Sequence, residues 1–505
     1  MSAPPASIDL SIVAHTNVGK TTLMRTLTRR DIGQVADRAH VTEESEGHVL
    51  VETPRGDVLR LWDTPGFGDS ARLVRRLRAS GNPIGWFLTQ VWDRFTDRPF
   101  FCSQQAIRNV REESDVVLYL VNAAEDPASA GYVEKEMEIL AWIGKPVVVL
   151  LNQMGPPRGR AAEAAEEALW SRQVAAYVDN REAIALDAFA RCWVQEDKLL
   201  GVVASVLPEA KRAPYERLRE AWRARNLATF EVSVNTLARQ LAAAAVDREG
   251  VEEEAFGDRA RRVLASVTAT QDATDPAVEG ATTALAKRLD AAVRANTDEL
   301  IALHGLSGRA KGEILGRLAA HVVVTKPVDI AGSSALGGLV SGALGGLAAD
   351  LAAGGLTLGM GTLIGGIVGA LGAGGAAYAY NQMQGREDGR IGWSALFLNE
   401  RFDAAIVRYL AVAHFGRGRG EWVEGECPAD WRPLVAATRA RSQAALDTAW
   451  KAAADGAEAA TVAEALAPVV RASVLGVLLR LYPEAAELLS PAMDPLPLAP
   501  AGSPP

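Results

Sequence analysis

The chain has 505 residues, enough for two or three domains, and its net charge of -9 argues against a surface that is basic throughout and coats nucleic acid. Its 3 cysteines lie far apart without a CxxC pair, and it has 6 histidines, so neither a disulfide framework nor a zinc site is predicted. The N-terminus has no basic segment followed by an apolar core, which predicts a cytoplasmic protein without a secretory signal.

The first predicted elements are a strand, a loop and a helix between Ile8 and Leu27. The loop follows the phosphate-loop pattern G-x-x-x-x-G-K-[ST], except that Ala14 replaces the first glycine. In such a loop, backbone N–H groups surround phosphates at a helix N-terminus. A chance lysine-threonine pair is the alternative. We predict that nucleotide binds to nine consecutive residues: Ala14, His15, Thr16, Asn17, Val18, Gly19, Lys20, Thr21 and Thr22.

Two side chains of this loop and two residues of a later motif carry the predicted chemistry. Lys20 would reach the outer phosphates, and the Thr21 hydroxyl would bind Mg²⁺. In the motif WDTPG, Asp63 would hold the same ion through a water, and the N–H of Gly66 would contact a γ-phosphate. Thr42 lies between the two motifs and is either a further Mg²⁺ ligand or part of an ordinary solvated loop.

Strand and helix patterns alternate as far as Pro208. Two alternating runs around the turn TPRGD predict a hairpin, and two apolar runs, Asp115–Asn122 and Pro146–Asn152, predict strands buried on both faces of a sheet. Helical patterns separate or follow these strands at Ala130–Ile143, Ala161–Val178 and Asp197–Leu207. Such alternation predicts an α/β domain over residues 1–208 with a largely parallel sheet.

The motifs together resemble a known family. AHTNVGKTT, DTPG and the strand that ends at Asn152 look like the ordered motifs of Era-like and TrmE-like bacterial P-loop GTPases. HTNVGKTTL, LRLWDTPGFGDS, SGNPIGWFL and AWIGKPVVVLLNQ are more specifically similar to bacterial GTPases with a C-terminal domain of unknown function 3482. The resemblance implies a Ras-like domain that binds GTP or GDP with Mg²⁺, and a GTPase that converts GTP and water to GDP and phosphate.

Two positions refine the implied mechanism. Asn17 matches the asparagine that helps TrmE-like members hold K⁺ beside the phosphates, although it could instead cap the loop. Phe67 occupies the position where many GTPases keep a water-orienting glutamine, which predicts slow intrinsic hydrolysis. No general base is evident, so catalysis would rest on positioning and charge stabilisation by Lys20, Asn17 and Gly66.

The base-reading motif departs from the family pattern N-K-x-D. Here it reads Asn152-Gln153-Met154-Gly155, and Gly155 has no carboxylate to accept hydrogen bonds from guanine. Asn152 and Gln153 remain predicted nucleotide-site residues, with Asn152 bracing the phosphate loop. Asp187 lies in a later loop and is a candidate for the missing carboxylate. The resemblance favours GTP, while ATP or relaxed specificity stays open.

Beyond Pro208 the composition changes. Ala, Leu, Arg and Glu recur with helical spacing, which predicts an α-helical domain over residues 209–489. The last 16 residues, 490–505, contain six prolines and are predicted to be disordered.

The segment 330–380 contains 16 glycines and a single charged residue, Asp350. Glycines at four-residue spacing, such as Gly338, Gly342 and Gly346, would place a smooth stripe on a helix. We predict a hydrophobic glycine-zipper hairpin that either associates with the inner membrane or is buried inside the helical domain.

These features predict a GTP-binding protein, a slow Mg-dependent GTPase that acts as a regulatory switch, located in the cytoplasm or at the inner membrane. A membrane-protein partner or a homodimer is left open. One alternative is an Era-like GTPase that assists RNA modification or ribosome assembly, although residues 209–505 show no basic RNA-binding module. Another is a nucleotide-binding scaffold without turnover, which Phe67 and Gly155 would permit.

Overall fold

The computed structural model describes residues 5–29, 45–79, 81–89, 97–154, 160–177, 183–186, 192–250, 276–306, 390–415, 428 and 430–493. Residues 1–230, 413–428 and 478–505 form one compact unit, and residues 231–412 and 429–477 form a second. Several predicted features lie outside the described residues: Thr42, Gly155, Asp187 and the glycine-rich segment 330–380.

The first unit is built on a six-stranded mixed sheet. Its strands are β1 (Ser7–Ala14), β2 (Glu46–Glu52), β3 (Val58–Asp63), β4 (Val116–Asn122), β5 (Val147–Asn152) and β6 (Ala183–Ala185), in the order β2-β3-β1-β4-β5-β6. β2 is antiparallel to β3, and the other neighbouring strands are parallel. The predicted α/β fold is confirmed, including the hairpin, whereas the three-residue strand β6 was too short to give a sequence pattern.

The parallel strands bring the predicted motifs to one edge of the sheet. β4 and β5 are apolar and almost completely buried, as strands with both faces covered should be. In the register, Asp63 lies opposite Ile12 near the end of β1, and Asn122 lies opposite Asn152. The carboxyl ends of β1, β3, β4 and β5 therefore meet where the phosphate loop begins.

Helices follow the strands of the first unit. They are α1 (Lys20–Thr28), α2 (Ser70–Leu77), α3 (Pro83–Thr89), α4 (Arg98–Glu112), α5 (Gly131–Ile143), α6 (Arg160–Val174) and α7 (Trp193–Val206). Alternate residues of β4 and β5 share one hydrophobic core cluster with residues of α2 to α6, including Phe87 and Phe100. The sheet is therefore rigidly supported beneath the nucleotide loops.

The long helix α8 (Glu209–Val246) begins in the first unit and is tied there to the sheet. The guanidinium of Arg217 donates to both carboxylate oxygens of Asp57, at 2.8 and 2.9 Å, in the turn between β2 and β3. These hydrogen bonds lower the pKa of Asp57 to about 2. Lys211 pairs with Asp115 just before β4, at 2.5 Å. Two charge-assisted contacts thus fix the start of α8.

The second unit is mostly helical, as predicted. Besides the end of α8, it contains α9 (Pro276–Leu303), α10 (Ala395–Ala413), α11 (Trp431–Arg441), α12 (Gln443–Ala454) and most of α13 (Ala459–Leu481). A small antiparallel pair, β7 (Arg248–Gly250) with β8 (Arg390–Gly392), was not predicted. After a short 3-10 turn, α14 (Ala486–Met493) continues into the predicted tail, and residues 494–505 lie outside the described ranges.

Among the described residues, α13 is the helix that is long and apolar enough to cross a bilayer by length and composition. Half of its apolar window is buried inside the protein. Core helices of soluble proteins meet the same criterion, so α13 carries no argument for a membrane location.

Candidate functional site

The phosphate loop has the left-handed backbone that its sequence requires at two positions. Gly19, immediately before α1, has φ +92°, and Asn17 has φ 65°. A Cβ at Gly19 would lie 2.7 Å from Nδ2 of Asn152, so a larger residue is excluded by space as well as by backbone conformation. The loop therefore leads directly into the N-terminus of α1, where backbone N–H groups are available to an anion.

The end of β5 holds this loop from the side. Nδ2 of the buried Asn152 donates to the carbonyl oxygen of Val18 at 2.7 Å. Nε2 of Gln153 donates to the carbonyl oxygen of Asn17 at 3.4 Å, and Gln153 itself has φ 58°. Both amide side chains thus contact the backbone of the phosphate loop.

Lys20 and Asp63 form a buried pair of charges at the centre of the site. Lys20 is 8% exposed and Asp63 is 4% exposed. Burial lowers the pKa of Lys20, while the charges of Asp63 and Glu136 act in the opposite direction. Burial likewise raises the pKa of Asp63, against the effect of Lys20 and of a hydrogen bond from Thr21. Each charge makes the burial of the other less costly.

The residues present fit a divalent cation. Oγ1 of Thr21 donates to Oδ2 of Asp63 at 2.8 Å, which places a hydroxyl and a carboxylate side by side. Oδ1 of Asp63 is buried and has no hydrogen-bond partner among the described residues. Oxygen donors of this kind suit Mg²⁺, which would be held by Thr21 and Asp63 and would neutralise phosphate charge.

The loop after β3 lies against the phosphate loop. The hydroxyl of Thr64 donates to the carbonyl oxygen of Ile12 at 2.6 Å. The backbone N–H of Phe67 donates to the carbonyl oxygen of Ala14 at 3.0 Å. A Cβ at Gly66 would lie 2.8 Å from Nζ of Lys20, so only glycine leaves the lysine in place. Phe67 is fully buried in the core cluster, which keeps its ring away from solvent.

His15 connects the phosphate loop to α5 through contacts that the sequence analysis did not anticipate. Its Nδ1 lies 2.6 Å from Oε1 of the fully buried Glu136, and the hydroxyl of Tyr119 donates to Oε2 at 2.7 Å. The imidazole also stacks on Tyr132, with ring centroids 4.5 Å apart. Burial raises the pKa of Glu136, and hydrogen bonds from His15 and Tyr119 oppose this shift. The backbone of His15 further forms a bridge with Phe67.

The structure brings most of the predicted site together. The contacts described above bring together, at the carboxyl edge of the sheet, residues Ala14 to Thr22, Asp63, Gly66, Asn152 and Gln153. Thr42 and Asp187 lie outside the described residues, so the switch threonine and the substitute base-reading carboxylate stay predictions. The contact between His15 and Glu136 had one local indication in the sequence, a histidine directly after the alanine that replaces the first glycine of the phosphate loop.

Comparisons with known proteins agree with this architecture. Residues 9–153 match the family model of the 50S ribosome-binding GTPase, and residues 181–468 match that of domain of unknown function DUF3482. The predicted relation to the 3482 group is thus confirmed, and the N-terminal part is a P-loop GTPase domain. No curated protein matches the chain.

Two solved structures of Era also align. Era in complex with MgGDPNP and nucleotides 1506-1542 of 16S ribosomal RNA is 19% identical, with a TM-score of 0.30, over 41% of this chain and 58% of that chain. Aquifex aeolicus Era bound to GDP.AlF4- is 19% identical, with a TM-score of 0.28, over 40% and 58%. The chain therefore spans less than two thirds of the length of either. The TrmE-like part of the resemblance stays a prediction.

The His15 contact predicts a pH-dependent loss of stability. In His15→Ala, the buried Glu136 loses a donor, which should lower the free energy of unfolding by about 1–3 kcal/mol at neutral pH. A carboxyl group whose pKa is higher in the folded than in the unfolded protein stabilises the folded state while it is protonated. This contribution to the free energy of unfolding is lost as pH rises from the unfolded-state pKa through the folded-state pKa. Urea unfolding of His15→Ala at a series of pH values should show the free energy of unfolding falling as pH rises above the ordinary pKa of a glutamate. In His15→Ala/Glu136→Gln, which cannot titrate there, an equal fall would contradict this account.

The Asn152 contact predicts a loss of nucleotide affinity. In Asn152→Ala, the carbonyl of Val18 loses its buried donor and the loop loses its side support, so GDP should bind about tenfold more weakly. Titration with a fluorescent GDP analogue measures this change. Asn122→Ala is the matched control, since Asn122 ends the neighbouring strand in register but contacts Glu125 and Ala124 instead. Equal weakening in both variants would show that Asn152 has no special role.

Proposed function

We propose, since this chain belongs to the DUF3482 family and carries an N-terminal P-loop GTPase domain, that it binds Mg-GTP, hydrolyses it slowly and acts as a regulatory switch. The observation that carries the proposal is the buried arrangement of Lys20, Thr21 and Asp63 behind the phosphate loop. A buried ammonium group beside a hydroxyl and a carboxylate that could hold Mg²⁺ suits the phosphates of a nucleotide, because the site supplies both signs of charge in fixed places. We assign the switch to residues 1–208, fused to a helical domain over 209–489 and a tail over 490–505.

Slow hydrolysis follows from the side chains around the γ-phosphate position. Phe67 is buried and cannot orient water, and the neighbouring Gly66 has only its N–H to offer a phosphate oxygen. Positioning by the phosphate loop and charge stabilisation by Lys20 would account for turnover. We propose that K⁺ near Asn17 adds to this stabilisation, supported by the exposed position of Asn17 in the phosphate loop.

Guanine is the proposed base on the strength of the GTPase family match. The Asn152 amide donates to the carbonyl of Val18, so one side chain of the base-reading motif also supports the loop. With Gly155 at the position of the usual carboxylate, Asp187 is the proposed acceptor for the guanine edge. Without such an acceptor, the preference over adenine should be smaller than in GTPases that retain N-K-x-D.

The output of the switch is proposed to pass through the helical domain. The segment 330–380 has the length and composition for contact with the inner membrane, where a membrane-protein partner or a second copy of the chain would respond to the nucleotide state. Flotation with lipid vesicles, compared with RNA co-purification, separates this output from an RNA-directed one.

Replacing Lys20 tests the proposed nucleotide site directly. Lys20→Ala should lower the affinity for GTP by at least about tenfold, because the outer phosphates lose a buried charged partner. Calorimetric titration with GTP, GDP and ADP measures affinity and base preference together. Lys135→Ala is the matched control, since that ammonium group bonds to the carbonyl of Gly131 on α5. Unchanged affinity for all three nucleotides in Lys20→Ala would refute nucleotide binding at this loop.

The potassium proposal makes a separate prediction. Phosphate release from Mg-GTP should be several-fold faster in KCl than in NaCl at equal ionic strength, because a cation of the right size stabilises developing negative charge. Asn17→Gly, which removes the amide but keeps the left-handed backbone, should remove the difference while GDP affinity changes little. Equal turnover in the two salts with measurable hydrolysis would rule out the cation role, and nucleotide binding would be unaffected by that result.

A further inference from the structure

Three side chains at four-residue spacing stack on one another where the chain enters α10, the first of them two residues before the helix. The indole of Trp393 stacks on the ring of Phe397, with centroids 4.4 Å apart and planes at 21°. The guanidinium carbon of Arg401 lies 4.9 Å from the centroid of the same phenylalanine ring. We call these three residues the α10 ladder. All three are half-buried, so the ladder borders solvent as well as the interior of the second unit.

Two N–H donors of the ladder are buried without an acceptor. Nε1 of Trp393 and Nε of Arg401 have no hydrogen-bond partner within the described ranges. A buried donor left unpaired costs free energy comparable to that of a lost hydrogen bond, and the cost is greater for a charged group. Both groups can only donate. What is missing at the ladder is therefore an acceptor, and beside a guanidinium the best acceptor is an anion.

A second buried arginine lies two turns further along α10. Arg408 is 3% exposed, and its Nη1 donates to Oδ1 of Asn296 at 2.8 Å. Asn296 is itself fixed, because its Nδ2 donates to the carbonyl of Thr236 at 3.0 Å. Burial, and then the charge of Arg401, lower the pKa of Arg408 to about 10. The two arginines thus repel each other in a buried environment, and Arg408 bonds to an amide instead of a carboxylate.

Other arginines of the second unit have carboxylate partners. Arg439 bonds to Asp403 at 2.9 Å, and Arg288 bonds to Asp247 at 2.9 Å. Arg401 has the exposed Glu400 beside it in the sequence but forms no ion pair in the described part of the chain. Arg401 and Arg408 thus carry two positive charges without a carboxylate partner in the described part of the chain, and the unpaired N–H of Trp393 lies on the same ladder as Arg401. A bound anion would compensate these charges and accept these hydrogen bonds.

We propose that the α10 ladder, with Arg401 and Arg408 supplying the charge, is a binding site for a phosphate-type oxyanion. Nε1–H of Trp393 and Nε–H of Arg401 donate to its oxygens, and the aromatic rings border it. Free phosphate and the phosphodiester of a lipid headgroup share this chemistry. Leu396 is 73% exposed beside the ladder and would contact the apolar part of a lipid. The site is independent of the proposed nucleotide site, since all its residues belong to the second unit.

The test uses the full-length protein with Lys20→Ala, so that the phosphate loop contributes least to anion binding. One arm titrates inorganic phosphate by calorimetry at constant ionic strength. The other measures flotation with vesicles of phosphatidylglycerol and phosphatidylcholine, compared with phosphatidylcholine alone. Arg401→Gln removes a charge, Trp393→Phe removes only the N–H and keeps a ring, and Arg390→Gln removes a charge from an exposed position on β8 as the matched control.

Arg401→Gln should weaken binding by about tenfold or more and Trp393→Phe by a few-fold, with Arg390→Gln unchanged. Phosphate binding with this pattern identifies a free anion as ligand, and vesicle binding alone identifies a lipid headgroup. The proposal is overturned if neither probe binds, which is the result expected when a carboxylate of this chain occupies the site. It is also overturned if the ladder variants bind the probes as well as the control variant does. Thermal unfolding shows whether Arg401→Gln is folded. If it is not folded, the binding of phosphate and vesicles to Trp393→Phe decides whether the proposal holds.

Discussion

The buried ammonium group of Lys20 sets the conditions that the rest of the nucleotide site has to meet. A charge that has left water needs partners of opposite sign, and here the nearest negative charges belong to Asp63 and Glu136. These carboxylates are buried as well, so each requires its own donors. Thr21 supplies one to Asp63, while His15 and Tyr119 supply two to Glu136. The site is thus a chain of mutually dependent buried groups.

The sheet holds the two functional loops in fixed positions relative to each other. β1 lies between β3 and β4, so the phosphate loop leaves the sheet beside the aspartate that ends β3. The bond from the N–H of Phe67 to Ala14 extends the pairing of β1 and β3 into the two functional loops. On the other side, the Asn152 amide closes the loop from β5. Glycine at position 66 leaves room for Lys20, and glycine at position 19 leaves room for the amide of Asn152, so packing and chemistry impose the same constraint on the sequence.

The features that could be predicted from the sequence are local ones. Strand, phosphate loop and helix are contiguous, and the D-T-P-G motif follows a recognisable strand, so their residue types indicate their placement. The contact between His15 and Glu136 joins residues 121 positions apart, and an acidic residue on an amphipathic helix usually indicates a solvated face. Asp57 and Arg217, 160 positions apart, give no local pattern either. The three-residue strands β6, β7 and β8 are too short to show a period.

The positive charges of partly or fully buried arginines have different partners along the chain. In the first unit, Arg219 and Arg223 both bond to Asp197, at 3.1 and 2.8 Å, and the second unit pairs Arg439 with Asp403 in the same way. The cost of removing a guanidinium from water does not depend on the element that carries it. A protein that meets this cost elsewhere with carboxylates has the same requirement at Arg401 and Arg408. The described residues around α10 provide an amide to Arg408 and an aromatic ring to Arg401 instead of carboxylates. This difference from the other arginines is the physical basis for the anion that we propose there.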